Sequence, residues 1–356
     1  MKIAIILGTR PEIIKLSPII RECQKRGPDY FIIHTNQHYS PNLDKVFFEE
    51  LELPNPKYNL GAGSGSHAEE TAKMLVGIEK ILLKENPSII LVQGDTNTVL
   101  AGALAASKLN IPVGHVEAGL RSFDRRMPEE LNRILTDHLS TDLFAPTKIA
   151  EKNLLNEGIS KERVHLTGNT VVDAVFQNLE IAEKKSNVLK GLKLKKEGYF
   201  LVTCHRPSNV DKKARFGKLL MEFEKVGEKF DLPIIFPMHP RSKKMLELFK
   251  LEMPSAISAI DPVGYLEFLQ LLKNAKLVLT DSGGIQEEAC ILKVPCITLR
   301  ENTERPEAIE AGAGMLMSED LAEDCGRMLD LRRNWENPFG DGKSAGRIIG
   351  HILKNA

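Results

Sequence analysis

Short runs of β-branched and other apolar residues alternate with amphipathic stretches along almost the whole chain, and the alternation is played through twice. In the first half the runs lie at residues 3–7, 31–35, 89–93, 113–116 and 143–145. Each is long enough for a strand and too short for a helix, and helical periodicity follows. After Pro11, which suits a first helical turn, apolar residues recur at Ile13, Leu16, Ile20 and Cys23. From Ser66, an expected N-cap, the residues Ala68, Ala72, Leu75, Ile78, Ile81 and Leu82 share one helical face. Strands joined by crossover helices pair in parallel, so the pattern predicts an α/β fold with a doubly wound parallel sheet.

Residues 183–197 break the pattern. Lys184, Lys185, Lys190, Lys193, Lys195 and Lys196 crowd a stretch with few large apolar groups, which reads as a solvated connector. Beyond it, strands are expected at 200–203, 234–236, 277–280 and 296–299. A chain of 356 residues exceeds one ordinary core. Two Rossmann-like domains are expected, at 1–168 and 169–343. Ligands of such sheets bind outside the carboxyl ends of the strands, and a cleft between the two halves is the expected place.

Bulk properties narrow the partners. Forty-eight basic and 48 acidic residues cancel, so no global field recruits nucleic acid or an anionic membrane. Five cysteines form an odd set without C-x-x-C spacing, as reduced thiols of a cytoplasmic protein would. No stretch reaches 18 apolar residues, and the N-terminal run is too short for a signal core. A cytoplasmic protein is expected.

The chemistry concentrates where strands end. After the run Leu277-Val278-Leu279 comes Thr280-Asp281-Ser282-Gly283-Gly284-Ile285-Gln286-Glu287-Glu288. A strand, a tight turn and a helix start leave backbone N–H groups pointing outward, where the helix dipole favours an anion. Gly283 and Gly284 let a diphosphate approach, Ser282 adds a hydroxyl, and Glu288 can accept both hydroxyls of a ribose. The same tripeptide also serves as an ordinary turn with an N-cap serine. Arg10 and Lys15 follow the first strand, Asp95 the third, Glu117 the fourth; His205 and Arg206, then His239 and Arg241, follow strands of the second half. Structural polar residues have no reason to prefer that rim in both halves.

Three carboxylates, Asp95, Glu117 and Glu129, belong to the first half. Crowding and burial separate carboxyl pKa values, as acid and base work at neutral pH requires. The second half adds His205, Arg206, Arg241 and Arg305. Such a pairing suits a sugar whose proton is moved while its phosphate leaves. Asp95 can equally N-cap the helix expected over 96–108, and one of Glu129 and Glu130 is there only because a helix N-terminus favours acid. The Gly61-Ala62-Gly63-Ser64-Gly65-Ser66 stretch looks like a dinucleotide fingerprint but follows a polar run, so it reads as a mobile loop or lid and not an NAD site. Histidines 34, 38, 67, 115, 138 and 165 show no ligand spacing. Neither a cofactor nor a metal is expected.

Several blocks together closely resemble the non-hydrolysing UDP-N-acetylglucosamine 2-epimerases. They are Gly8-Thr9-Arg10-Pro11-Glu12, Gln93-Gly94-Asp95-Thr96, Gly114-His115-Val116-Glu117-Ala118-Gly119-Leu120-Arg121, Pro128-Glu129-Glu130-Leu131-Asn132-Arg133, Gly168-Asn169-Thr170-Val171-Val172-Asp173, the 281–288 turn and Thr303-Glu304-Arg305-Pro306-Glu307. The resemblance implies two domains of the GT-B type, a homodimer, and a last helix, 344–356, crossing back onto the first domain. It implies that Arg10 and Lys15 lie at the nucleotide diphosphate, that Ser282, Gly283 and Gly284 hold phosphate, that Glu288 binds ribose, and that Phe268 lies against uracil. His239 and Arg305 fall in the expected substrate pocket; Asp95, Glu117 and Glu129 match the catalytic carboxylates, supported by Arg133, and His205, near the diphosphate or sugar, is expected among the catalytic residues.

The implied reaction is reversible epimerisation at sugar carbon 2. That proton is not next to a carbonyl, so UDP must leave first or concurrently, giving 2-acetamidoglucal before re-addition. A GT-B glycosyltransferase, a non-catalytic nucleotide-sugar sensor and a 2-epimerase of a UDP-2,3-diacetamido uronic acid sugar are the competing expectations. The chain departs from the family at Pro207-Ser208-Asn209, where a glutamate-asparagine pair is usual. The Thr35–Ser40 and 61–67 segments also differ from the bacterial form activated by a second substrate molecule, so that activation is not expected.

Overall fold

The computed structural model describes residues 1–36, 41–63, 65–303 and 305–355, with the side chains of 41–45 left out. His38 with most of the 35–40 segment, Ser64 of the glycine-rich loop, and Glu304 of the 303–307 block lie outside the described residues. The chain forms two compact units, Met1–Gln177 with Phe339–Ala356, and Asn178–Pro338.

The first unit runs β1 (Lys2–Leu7), α1 (Arg10–Arg26), β2 (Asp29–His34), α2 (Pro41–Glu50), β3 (Tyr58–Asn59), α3 (His67–Glu85), β4 (Ile89–Gln93), α4 (Asn97–Lys108), β5 (Val113–Val116), α5 (Pro128–Leu139), β6 (Asp142–Ala145), α6 (Lys148–Asn156), β7 (Val164–Leu166) and α7 (Thr170–Lys185), with the division between units falling inside α7. Its strands are all parallel, in the order β3-β2-β1-β4-β5-β6-β7. The winding reverses between β1 and β4, the position at which such sheets open a crevice. Helix α1 follows its sequence signals: Ile13, Leu16, Ile20 and Cys23 are buried, Glu12 closes a capping box on Thr9, and Gly27 ends the helix at φ 78°. Ser66 caps α3, accepting from the Glu69 N–H. Residues 344–354 form a terminal helix that packs against α1. Ile348, Ile349 and Ile352 are buried on it, and the Asp173 carboxylate accepts from the Ser344 and Ala345 N–H groups at its start (3.2 and 3.0 Å).

The second unit begins with α8 (Val188–Gly191), then β8 (Phe200–Thr203), α9 (Pro207–Val210), α10 (Lys213–Phe230), β9 (Ile234–Pro237), α11 (Pro240–Phe249), β10 (Ile257–Ile260), α12 (Tyr265–Asn274), β11 (Leu277–Thr280), α13 (Gly283–Ile291), β12 (Cys296–Thr298), α14 (Pro306–Glu310), β13 (Gly314–Leu316) and α15 (Leu321–Asp330). Its order, β10-β9-β8-β11-β12-β13, repeats the same logic with the reversal between β8 and β11. The two doubly wound units and the returning helix give the GT-B type of architecture that the resemblance implies.

The lysine-rich stretch differs from its expected form. Its lysines are exposed, but Val188, Leu189, Leu192 and Leu194 pack against the core around Tyr199 and Leu271. Four medium apolar groups on and just after a short helix suffice to seal the sheet face, so the segment is part of the second unit rather than a free connector. Among the described residues no helix is long and apolar enough to cross a membrane.

Candidate active site

In the first unit, the rim is organised by carboxylates that accept from neighbouring loops. Glu12, fully buried, accepts from the Gly8 and Thr9 N–H groups (both 2.7 Å) and from the Thr96 hydroxyl (2.5 Å), so it ties the end of β1 to the turn after β4. Burial outweighs those bonds and raises its pKa to about 7.

Asp95 directly precedes Thr96, the N-cap position of α4, and does not cap that helix itself. Its carboxylate instead receives a hydrogen bond from Arg133 and remains about a third exposed. Arg133 donates from its other nitrogen to Glu130 (2.7 Å). Glu130 is the structural member of its pair: it is buried and also accepts from Ser122 N–H and Oγ and from Phe123 N–H, each at 2.9 Å. Burial opposes the charge, yet these donors and Arg133 hold its carboxyl below the usual range. Glu129 is exposed and lines a cavity of about 130 Å³ together with Thr96, Asn97 and Asn132. Asn132 donates to the Asp95 carbonyl (3.0 Å), joining α5 to the β4 turn.

Glu117, after β5, adopts φ 71°, a left-handed conformation that costs a side-chain-bearing residue roughly 1–3 kcal/mol unless its surroundings fix it. They do. Lys15 donates to both carboxylate oxygens (2.6 and 2.9 Å), Asn169 to one (3.2 Å), and Gln93 to the other. Lys15 thus reaches across from α1 to Glu117, while Arg10 lies 5.7 Å from the Phe47 ring centre. Beneath both carboxylates, buried His115 contacts Asp137 (2.6 Å) and the Gly94 carbonyl (2.8 Å), bracing β4 against β5. Burial works against the Asp137 charge, but His115 and Arg121 hold its carboxyl below the ordinary value.

In the second unit the rim is organised around one buried acid. Asp281, fully buried after β11, accepts from the His205 and Arg206 N–H groups (2.9 Å each) and from the Asn209 amide (3.0 Å), and His205 Nδ1 lies 3.2 Å from it. His239 caps α11, and its ring stands 5.1 Å from that of His205. Burial first, then His205 and Arg241, lower the His239 pKa. Ser282 occupies the N-cap position of α13 without a side-chain cap bond, and a Cβ at Gly284 would meet nothing within 4 Å. The first turn of α13 therefore offers backbone donors to an open space, as an anion seat requires.

Glu288, one turn on, accepts from the Tyr265 hydroxyl (3.0 Å). Arg305 pairs with buried Glu287 (2.7 Å), and its loop is tied to α13 through Thr303, which donates to Gln286 (2.6 Å). Phe268 is partly buried on α12 against the Tyr199 core. Arg206, Lys212, Arg215 and Arg300 line a neighbouring cavity of about 500 Å³. All five cysteines are buried, and burial pushes the thiols of Cys23, Cys290 and Cys325 up to about 12, so none is a nucleophile at neutral pH.

Gln93, Asn169, Glu130, Asp281 and Glu287 hold these groups in place, and the sequence reading assigned them no such part. Their one signal was membership of the short blocks quoted above, although of the five only Glu130 shares a block with the residue it holds.

A family model described as UDP-N-acetylglucosamine 2-epimerase matches residues 21–353. The chain is 61% identical to the UDP-N-acetylglucosamine 2-epimerase of Methanocaldococcus jannaschii, covering 98% of each. It is 58% identical to that of Methanococcus maripaludis, covering 99% of this chain and 98% of the relative. The crystal structure of the M. jannaschii enzyme in complex with UDP-GlcNAc and UDP superposes with a TM-score of 0.89 over the whole of both chains, at 61% identity. With relatives this similar along its entire length and the motifs quoted above, the chain belongs to the non-hydrolysing UDP-N-acetylglucosamine 2-epimerase family.

Proposed function

We propose that the chain interconverts UDP-N-acetylglucosamine and UDP-N-acetylmannosamine by eliminating UDP to 2-acetamidoglucal and adding it back after reprotonation on the other face. The observation that carries the reading is the carboxylate rim of the first unit, on a chain that matches these epimerases from end to end. A glycosyltransferase needs one base and an acceptor groove; Asp95, Glu117 and Glu129 exceed that need.

Asp95, Glu117 and Glu129 move the protons at carbon 2 and at the leaving oxygen. Arg133 aims Asp95, and Lys15 with Gln93 and Asn169 aims Glu117. In the second unit, the α13 N-terminus with Ser282, Gly283 and Gly284 takes the diphosphate as it gains charge, which is where fixed dipoles lower a barrier most. Arg305, His205 and His239 add positive or donor groups, Glu288 holds the ribose hydroxyls, Phe268 supports the uracil, and Arg10 completes the diphosphate surroundings. The first unit, with the terminal helix, supplies acid and base; the second unit binds UDP. The reaction is redox-neutral and proceeds without NAD or a divalent metal. The working form is a cytoplasmic homodimer.

Incubation with UDP-N-acetylglucosamine alone, followed by NMR, tests this reading: UDP-N-acetylmannosamine should accumulate to an equilibrium mixture. Unchanged substrate would overturn it, and faster turnover of the UDP-2,3-diacetamido uronic acid sugar would reassign the substrate.

A further inference from the structure

Away from the rim, the first unit gathers three ligand-type side chains from distant parts of the chain. Asp142 opens β6, His165 is the middle residue of β7, and His351 sits on the terminal helix, 209 residues from Asp142. One carboxylate oxygen, Asp142 Oδ1, lies 2.8 Å from His351 Nε2 and 3.2 Å from His165 Nε2, and all three donor atoms fall within 4.8 Å of one another. The two imidazole rings are tilted with centroids 3.9 Å apart, over the ring of Phe144. The second oxygen, Oδ2, is occupied by the Thr141 hydroxyl at 3.2 Å, which leaves Oδ1 turned to the histidines.

We propose that Asp142, His165 and His351 bind one divalent transition-metal ion of the zinc type, which pins the terminal helix to the edge of the first unit's sheet.

Imidazole nitrogens and a carboxylate oxygen sit about 2.0–2.2 Å from zinc, so tetrahedral ligands stand roughly 3.2–3.6 Å apart. The two Asp142 separations, 2.8 and 3.2 Å, lie just below and at the lower end of that range, and small side-chain rotations suffice. Two imidazoles and one carboxylate leave a fourth position, and the half-buried setting of all three residues gives water access to it. The metal takes neutral imidazole and ionised carboxylate ligands, so its binding weakens as pH falls. The Asn355 amide, 3.2–3.3 Å from both ring nitrogens of His351, must turn away from Nε2, which is inexpensive at the exposed end of a helix. A purely hydrogen-bonded latch, with both Nε2–H groups donating to Asp142, is the competing arrangement. The site sits at the first residue of β6 and the middle of β7, away from the carboxyl ends of the strands, and does not depend on the function proposed above.

The test is calorimetric titration of the chelator-stripped chain with zinc chloride, paired with thermal melts and cobalt(II) absorption. The expected result is one ion per chain with micromolar or tighter affinity, a melting temperature several degrees higher with metal, and the visible bands of four-coordinate cobalt. His351→Gln and Asp142→Asn should lose the binding at least 100-fold, and the cobalt bands with it, while epimerisation below the melting temperature stays unchanged. No saturable binding by the parent chain overturns the proposal in favour of the hydrogen-bonded latch. Equal affinity in both variants overturns it as well, by moving the ion elsewhere.

Discussion

Glu117, proposed as a catalytic carboxylate, shows how a side chain is held at the scale of single residues. Its left-handed backbone would be strained alone, and three donors from β4, α1 and the start of α7 fix both its oxygens. Asp95 is held differently, by one arginine that Glu130 in turn orients. Asp95→Asn, Glu117→Gln and Glu129→Gln should each lower kcat roughly 10²–10⁴-fold with little change in UDP affinity, measured by NMR progress curves and calorimetry. Near-normal turnover in any one would remove that residue from the proton transfers and leave it a structural role.

Glu12 carries a pH signature of its own. Its folded pKa of about 7 lies above the ordinary 4.5, so the folded state retains a proton that the unfolded state releases between these values. Its stabilising share is whole below pH 4.5 and is lost as pH rises to 7, on the order of 3 kcal/mol. Urea denaturation across that window should show stability falling more steeply with pH in the parent chain than in Glu12→Gln. Asp95 and Glu117 stand out in the sequence because each follows a strand; their partners do not, because Gln93 meeting Glu117 is a fact of tertiary packing that spacing along one chain does not contain.

At the scale of elements, the long ones follow from periodicity and the short ones do not. Helices α1 and α3 start where Pro11 and Ser66 signal. Strands β3, β7, β10 and β13, of two to four residues, sit at sheet edges, where one or two apolar side chains suffice and no alternation develops. The lysine-rich stretch misleads for a related reason: its exposed charges dominate the composition, and four apolar residues decide the packing. Helix α13 was legible in full, since a strand, Ser-Gly-Gly and a helix leave few alternatives. Arg305→Ala should weaken UDP binding about 10- to 150-fold, as a charged donor to phosphate is worth about 1.5–3 kcal/mol, and Ser282→Ala should cost less. Because Arg305 also pairs with buried Glu287, a thermal melt must accompany the titration. UDP binding at parental strength in a folded Arg305→Ala chain would move the diphosphate elsewhere.

At the scale of the whole molecule, two sheets with the same strand logic carry different groups: acids on the rim of one, a helix N-terminus and cationic side chains on the rim of the other. Exhaustive chelation should leave turnover intact below the melting temperature, since the groups assigned to the chemistry are carboxylates, cations and backbone donors; a rate lost to chelation and restored by metal would contradict that. The most direct measurement is incubation with UDP-N-acetylglucosamine in deuterium oxide, without acceptor, with NMR at sugar carbon 2. Deuterium should enter carbon 2 of the product UDP-N-acetylmannosamine and, through the reverse reaction, of the remaining substrate. Product that keeps the original proton at carbon 2, or no product at all, would contradict epimerisation by elimination and re-addition.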